Sequence, residues 1–188
     1  LDPNPERFFL GDDGEQVYIK DFLEWDKKNT FEKNGILFIG SSSIRKWKTA
    51  EYFNYKLSII NRGFGGSHIS DINYYFNTIV LKYKPKIIVF YAGDNDIAGK
   101  KAPEQVLDDY VEFVGLVRKN IKQARIIYIP IKPSPSRWSL WSDMAETNKL
   151  IKMFIDSDDQ QIYLDTATPM LNNRGKPSGH LFVSDSLH

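Results

Sequence analysis

Five short apolar runs alternate with stretches of helical periodicity, and this alternation constrains the fold more than any other feature of the chain. The runs lie at residues 36–39, 57–60, 86–92, 125–131 and 161–164. They are rich in isoleucine, valine and aromatic residues and are apolar at consecutive positions, as parallel strands covered on both faces are. We therefore predict a three-layer α/β/α fold with a flavodoxin-like sheet of about five parallel strands.

The segments between these runs carry apolar residues at helical spacing. Such patterns begin at Ile69, at Pro103 and at about Trp141, and another helix is predicted over residues 15–33, ahead of the first strand. A length of 188 residues fits one domain. We expect residues 1–188 to form a single domain, with residues 1–34 as a helical arm packed on it.

The composition excludes several kinds of site and partner. The chain has no cysteine, which removes disulfides, zinc–thiolate sites and a cysteine nucleophile. Asp94 and Asp96 have no evident third ligand, so we predict no metal site. The 25 Lys and Arg residues balance 24 Asp and Glu residues without a basic cluster, which argues against a nucleic-acid partner. No apolar run reaches the roughly 20 residues of a spanning helix, so no stable membrane insertion is expected.

Unusual polar segments follow the predicted strands, at the edge where open α/β sheets bind ligands. They are Gly40-Ser41-Ser42-Ser43, the glycine-rich turn 61–68, Gly93-Asp94-Asn95-Asp96 and, at the end of the chain, Asp185-Ser186-Leu187-His188. These are the parts of a serine esterase. His188 could take the proton of Ser42, and Asp185 could hold His188 in one tautomer. The N–H groups of Ser42 and Gly66 and the Asn95 amide could stabilise an oxyanion.

The four blocks, in this order, resemble those of the SGNH hydrolase superfamily, which includes the GDSL-like lipases and acylhydrolases. The resemblance covers residues 36–188, and the stretches 40–47 and 131–137 are similar to one bacterial branch. It implies that Ser42 is the nucleophile, His188 the base and Asp185 the residue that orients it. It also implies an oxyanion hole of Ser42, Gly66 and Asn95, and hydrolysis of carboxylic esters without a metal or other cofactor.

The sequence departs from the family pattern at two places. Ser41 stands where the family has its signature aspartate, and we expect altered local hydrogen bonding there rather than lost activity. The sequence ends at His188, where the family continues into a C-terminal helix, and it begins at Leu1 rather than Met. We expect further residues beyond both ends. Because chains of this branch often carry a removed leader, a periplasmic or secreted location is favoured over a cytoplasmic one.

Each of these residues also has an ordinary structural explanation, and only their joint occurrence indicates an enzyme. Ser42 alone could cap a helix, and Asn95 alone could be a turn residue. A non-catalytic SGNH-like domain that binds carbohydrate or a partner protein is the alternative. A nucleotide site is rejected, because the glycines at 63–66 do not fit the dinucleotide pattern and the chain has no phosphate-binding Gly-x4-Gly-Lys-Ser/Thr loop.

Three further residues are candidate substrate contacts. His68 follows the glycine turn and could line the pocket or simply begin a helix. Arg137 and Trp138 lie in the proline-rich stretch 130–141, which could be a pocket wall or a stiff connection. His68 and His180 are rival bases, but no carboxylate lies at a suitable spacing from His180, and neither displaces His188. We expect a small-molecule ester with a short acyl group, and acetylated carbohydrate is favoured by analogy. The oligomeric state stays open.

Overall fold

The computed structural model describes residues 2–10, 17–54 and 56–188. Its strands are β1 (Ile36–Gly40), β2 (Ile59–Gly63), β3 (Ile87–Tyr91), β4 (Arg125–Tyr128) and β5 (Gln161–Tyr163). All neighbouring strands are parallel, and their order in the sheet is β2-β1-β3-β4-β5. This is the flavodoxin-like order, so the predicted fold class is confirmed.

Helices flank the sheet. They are α1 (Arg7–Leu10), α2 (Tyr18–Lys28), α3 (Ser42–Lys46), α4 (Thr49–Tyr52), α5 (Ile69–Tyr74), α6 (Phe76–Ile79), α7 (Asp94–Ala98), α8 (Pro103–Asn120) and α9 (Trp141–Ile155). Short 3₁₀ turns lie at Leu81–Tyr83, Pro135–Leu140, Thr168–Met170 and Gly179–Leu181. None of the helices in the described ranges is long and apolar enough to cross a membrane.

Several element boundaries differ from the predicted ones. The helix predicted over 15–33 is α2, eleven residues long, and positions 15 and 16 lie outside the described residues. The helical pattern from Ile69 is divided between α5, α6 and a 3₁₀ turn, because Tyr75 (φ −90°, ψ 9°) and Val80 (φ −125°, ψ −63°) leave the helical region. The strand predicted at 57–60 lies two residues later, and its last three residues are Asn61, Arg62 and Gly63.

Two polar residues belong to β2 because the surrounding structure satisfies them. The amide of Asn61 donates to the carbonyl oxygens of Ile44 and Trp47, at 2.7 and 3.1 Å. The buried guanidinium of Arg62 forms a 2.7 Å ion pair with Asp26. Apolar periodicity carries no information about such partners, so it cannot place the end of this strand.

Side chains from alternate strand positions enter two separate cores, one on each face of the sheet. Leu37, Ile88 and Phe90 face the larger core, which also holds apolar residues of α5, α8 and α9. Phe38 and Val89 face the smaller core on the side of α3 and α4. Burial on both faces explains why the strands are apolar at consecutive positions.

Candidate active site

The first three strands end level with one another, which brings three polar segments to one edge of the sheet. Gly40, the last residue of β1, is in register with Gly63 of β2 and with Tyr91 of β3. A Cβ atom at Gly40, whose φ is +147°, would collide with the carbonyl oxygen of Tyr91. Glycine therefore lets the chain leave β1 close to β3 and turn directly into α3.

Ser42, His188 and Asp185 lie in one hydrogen-bonded chain. Ser42 is the first residue of α3, and its Oγ atom lies 2.7 Å from Nε2 of His188. The other ring nitrogen of His188, Nδ1, lies 2.7 Å from Oδ2 of Asp185. With Nδ1 donating to the carboxylate, Nε2 can accept the Ser42 proton. The structure thus brings together the three residues that the sequence predicts as nucleophile, base and orienting acid.

Hydrogen bonds fix the carboxylate of Asp185 although it is exposed. Its second oxygen, Oδ1, accepts the backbone N–H groups of Leu187 and His188, both at 2.9 Å. The bond from the His188 side chain, followed by these backbone bonds, holds the pKa of Asp185 well below its usual range. The carboxylate is therefore ionised whenever His188 is a competent base.

Besides the Ser42–His188 contact, two hydrogen bonds tie the C-terminal loop that carries Asp185 and His188 to the body of the protein. The Lys46 ammonium, at the end of α3, donates to Oδ2 of Asp185 at 3.2 Å. It also lies 2.9 Å from Nδ1 of His188, but with Nδ1 protonated this is a contact between two donors and not a hydrogen bond. The backbone N–H of Ser136 donates to the carbonyl oxygen of Ser186 at 3.1 Å. The loop turns at Ser186, whose φ of +54° lies in the left-handed region.

The three groups predicted to bind an oxyanion occupy the turns after β1, β2 and β3. The Ser42 N–H is in the first turn of α3, where no preceding helical turn supplies an acceptor. Gly66 has a φ of +74°, and a Cβ built on it would point into open space. The Asn95 amide donates through Nδ2 to the Ser67 carbonyl oxygen at 3.0 Å, which places it beside the Gly66 turn.

Ser41, which is buried, and Lys132, which is largely buried, lie beside the serine turn. Ser41 is fully buried, and its hydroxyl donates to Oδ1 of Asp94 at 3.4 Å. Ser41 thus has a hydrogen-bond partner in Asp94, and the expectation that hydrogen bonding here differs from that of the family stays a prediction. The Lys132 ammonium donates to Oγ of Ser43 at 2.7 Å and to the hydroxyl of Tyr91 at 2.8 Å, and burial lowers its pKa. Sequence reasoning missed Lys132, which lies in the stretch 131–137 that resembles the bacterial branch.

His68 occupies a buried position at the start of α5. It is the N-cap residue of that helix, and its Nδ1 lies 3.7 Å from Oδ1 of Asp96. Burial lowers the pKa of His68 to about 4 and raises the pKa of Asp96 to about 7. These contacts match the helix-start explanation of His68, and a substrate contact there stays a prediction.

Arg137 and Trp138 lie in the 3₁₀ turn Pro135–Leu140. Arg137 contacts Asn95 and Asp94, whereas Trp138 stacks on Trp141 with ring centroids 5.9 Å apart and planes inclined by 15°. Their contact with substrate also stays a prediction. The rival base, His180, is exposed in the turn Gly179–Leu181.

The aspartates considered as metal ligands are paired with cations. Asp94 lies 3.1 Å from Arg137, and Asp96 lies 3.3 Å from Lys101. Within residues 2–10, 17–54 and 56–188, no three or more His, Asp or Glu side chains are grouped so that they could hold a metal ion.

Solved structures with the same fold cover most of this chain. A protein from Streptococcus pneumonia, provisionally named a platelet activating factor, is 18% identical with a TM-score of 0.81, over 92% of this chain and 83% of its own. A GDSL-like lipase from Bacteroides thetaiotaomicron is 17% identical with a TM-score of 0.74, over 90% and 88%. An acetylxylan esterase from Geobacillus stearothermophilus is 16% identical with a TM-score of 0.56, over 84% and 94%.

No curated protein sequence matches this chain. The sequence model of the GDSL-like Lipase/Acylhydrolase family matches residues 43–188, which is well over half of the chain. The match begins one residue after Ser42 and includes Gly66, Asn95, Asp185 and His188. It confirms the family predicted from the four sequence blocks. The chain belongs to the GDSL-like Lipase/Acylhydrolase family and is a hydrolase that acts on ester bonds.

Proposed function

We propose that this hydrolase is a serine esterase that cleaves short acyl esters through an acyl-Ser42 intermediate. The observation that carries the proposal is the chain of two 2.7 Å contacts from Ser42 Oγ through the His188 ring to Asp185. A serine hydroxyl becomes a useful nucleophile when a base takes its proton, and this geometry supplies a base that is itself oriented.

In the first half of the reaction, Ser42 Oγ attacks the ester carbonyl carbon while its proton passes to Nε2 of His188. The carbonyl oxygen becomes an oxyanion, which accepts hydrogen bonds from the N–H groups of Ser42 and Gly66 and from Nδ2 of Asn95. When the tetrahedral intermediate collapses, the bond to the alcohol oxygen breaks. His188 returns the proton to the leaving alkoxide, and the acyl group stays on Ser42.

In the second half, water replaces the alcohol. His188 takes a proton from the water as its oxygen attacks the acyl carbon, and the same three donors receive the second oxyanion. Collapse of this intermediate breaks the bond to Ser42 Oγ, which recovers its proton from His188. The products are one alcohol and one carboxylic acid, and the enzyme returns to its starting state.

The substrate that we propose is a small, polar ester, with acetylated carbohydrate the favoured class. The side chains beside the serine turn are charged or polar, including Lys46, Lys132 and Asn95, which favours a short acyl group over a long alkyl chain. Two half-buried aromatic rings, Trp138 and Trp141, follow Arg137 in the chain and add surface of the kind that sugars contact, although Trp138 already stacks on Trp141 and has Lys176 4.8 Å from its ring. The Geobacillus stearothermophilus relative, an acetylxylan esterase, supports the same class.

The test is hydrolysis of p-nitrophenyl acetate, butyrate and octanoate by the wild type and by Ser42→Ala. We expect Ser42→Ala to lower kcat/KM on the acetate by at least about 10³-fold, since the nucleophile is removed. Ser157→Ala, which changes an exposed serine after α9, is the matched control and should leave the rate unchanged.

Turnover that survives Ser42→Ala would overturn the mechanism, and absence of any turnover would favour the non-catalytic binding domain. A higher kcat/KM on octanoate than on acetate would contradict the short acyl preference.

A further inference from the structure

We propose that Arg137 is a positioning residue that fixes the orientation of the Asn95 amide and thereby acts on the oxyanion without touching the substrate. This proposal rests on the proposed function in assigning Asn95 to the oxyanion. It differs from the expectation that Arg137 binds substrate, because one guanidinium nitrogen already donates to Asn95, and the other is buried at ion-pair distance from Asp94, although without an aligned hydrogen bond.

The amide of Asn95 is held at both ends. One guanidinium nitrogen of Arg137 donates to Oδ1 of Asn95 at 2.9 Å, and Nδ2 of Asn95 donates to the Ser67 carbonyl oxygen at 3.0 Å. An amide nitrogen has two N–H groups, so one N–H remains for another acceptor. Because the amide is planar, the two hydrogen bonds that fix its other atoms also fix the direction of this remaining N–H.

A flipped amide would lose both of these bonds. The Asn95 NH₂ group would then face the Arg137 guanidinium, which is donor against donor, and Oδ1 would face the carbonyl oxygen of Ser67. Each clash leaves a partly buried polar group unpaired, which costs more than the hydrogen bond itself contributes. Arg137 therefore selects the amide orientation in which an N–H, rather than an oxygen, is available to an oxyanion.

The positive charge of Arg137 strengthens this arrangement. Its other terminal nitrogen lies 3.1 Å from Oδ2 of the buried Asp94, the residue next to Asn95. The charge is thus compensated by Asp94, although the nitrogen that faces Asp94 makes no aligned hydrogen bond, and the guanidinium is held by its hydrogen bond to Asn95. A charged donor on an amide oxygen also polarises the amide, so the remaining Asn95 N–H becomes a better donor.

The backbone around Arg137 is anchored as well. The 3₁₀ turn begins at Pro135, and the N–H of Ser136 donates to the carbonyl oxygen of Ser186 in the loop that carries the base. The segment after β4 thus contacts the proposed oxyanion donor through a side chain and the histidine loop through its backbone. This is a reason for a stiff, proline-bounded segment at this edge of the sheet.

The first arm of the test reads the Asn95 side chain directly, by two-dimensional ¹H–¹⁵N NMR. The Asn95 NH₂ signals are assigned by their loss in Asn95→Asp. In Arg137→Gln we expect these signals to shift and their exchange with water to accelerate at least about 10-fold. Lys176→Gln, which removes a cation 4.8 Å from the Trp138 ring, is the control and should leave them in place. Unchanged Asn95 signals in Arg137→Gln would overturn the proposal, whether or not the protein hydrolyses esters.

The second arm is a double-mutant cycle on p-nitrophenyl acetate with Arg137→Gln, Asn95→Ala and the two combined. One oxyanion donor is worth about 10²–10³-fold in kcat, so partial misalignment by Arg137→Gln should cost about 10–10²-fold with KM within about 2-fold. In the Asn95→Ala background, the same change should cost less than about 3-fold. Arg137→Lys, which keeps the charge, should recover part of kcat. If Arg137→Gln does not fold, the cycle is run with Arg137→Lys, and a smaller loss that again disappears in the Asn95→Ala background is expected.

Independent effects of Arg137 and Asn95, or a raised KM with kcat unchanged, would overturn the proposal in favour of a substrate contact. Turnover that does not depend on Ser42 would overturn the proposed function instead. In that case the NMR arm still decides whether Arg137 positions the Asn95 amide.

Discussion

The Nε2 atom of His188 lies 2.7 Å from the Oγ atom of Ser42, although the two residues are 146 positions apart in the sequence. Ser42 follows β1, whose neighbours in the sheet are β2 and β3, whereas the histidine follows β5 at the edge. The chain after β5 must therefore return across the end of the sheet to reach the serine turn. The contacts of Lys46 with Asp185 and of Ser136 with Ser186 hold it there.

The first prediction concerns Asp185. Asp185→Asn should keep the fold but lower kcat by about 10²–10⁴-fold, because His188 loses the group that holds its tautomer. Because hydrogen bonds hold the pKa of Asp185 low, the acid limb of the wild-type pH–rate profile should show the uptake of a single proton. Asp156→Asn, an exposed change at the end of α9, is the control. A two-proton acid limb, or equal rates in the two variants, would contradict this account of the carboxylate.

The second prediction concerns the buried carboxyl of Asp96, whose pKa burial raises to about 7. Between its ordinary value, 3.8, and about 7, the folded state binds a proton that the unfolded state has released. The contribution of Asp96 to stability is therefore present at low pH and lost as the pH rises through this window. The stability of the wild type relative to Asp96→Asn should fall from pH 4 to pH 7 in urea denaturation. A constant or rising difference would show that Lys101 keeps this carboxylate ionised.

The third prediction has the opposite sign and concerns His68, whose pKa burial lowers from 6.5 to about 4. As the pH falls, the unfolded state binds the proton before the folded state does. The contribution of His68 to stability is therefore present above pH 6.5 and lost as the pH falls through about 4. The stability of the wild type relative to His68→Gln should rise between pH 4 and pH 6.5. A flat difference for His68→Gln would contradict the lowering of the His68 pKa by burial and would indicate that its ring is hydrated.

The fold is predictable from the sequence wherever apolar periodicity is enough. The α8 and α9 patterns and the five apolar runs lead to the observed helices and sheet, because both faces of each strand are buried. The candidate site is predictable as residue types at strand ends, since parallel strands bring those ends together. Its supporting contacts are not predictable in this way. The pairing of Arg137 with Asn95 and of Lys132 with Ser43 depends on side-chain directions in loops, for which a single sequence carries no periodic signal.

The fourth prediction follows from the buried contact of Ser41 with Asp94. Ser41→Asp would place a second carboxylate against the first in a fully buried site, so one must take up a proton or lose its contacts. We expect a loss of several kcal/mol in the free energy of unfolding. Ser41→Ala, which removes only a 3.4 Å hydrogen bond, should cost about 1 kcal/mol. Equal stabilities for the two variants would mean that Asp94 turns away from position 41.

The fifth prediction tests whether the N-terminal arm belongs to the same folding unit as the sheet. Phe8 is buried, and its ring meets that of Phe64 edge-on with centroids 4.9 Å apart. If the arm and the sheet unfold together, Phe8→Ala should lower the free energy of unfolding by about 3–5 kcal/mol, and urea denaturation should show a single transition. Phe9→Ala removes a neighbouring ring that is 41% exposed and is the matched control, expected to cost well under 1 kcal/mol. Similar losses of stability for the two variants would show that the arm detaches from the sheet before the sheet unfolds.

The most direct test of the central claim is covalent labelling of the nucleophile, read by peptide mass spectrometry after treatment with an organophosphonate. A phosphonate takes the place of the tetrahedral intermediate, so it reacts with a serine only where base and oxyanion donors are aligned. The account predicts one adduct per chain, on Ser42, and no adduct in Ser42→Ala. The rate of labelling should fall at least about 10²-fold in His188→Ala and should be unchanged in Ser157→Ala. An adduct on another residue, or none under conditions that label a known serine esterase, would contradict the assignment of Ser42 as the nucleophile.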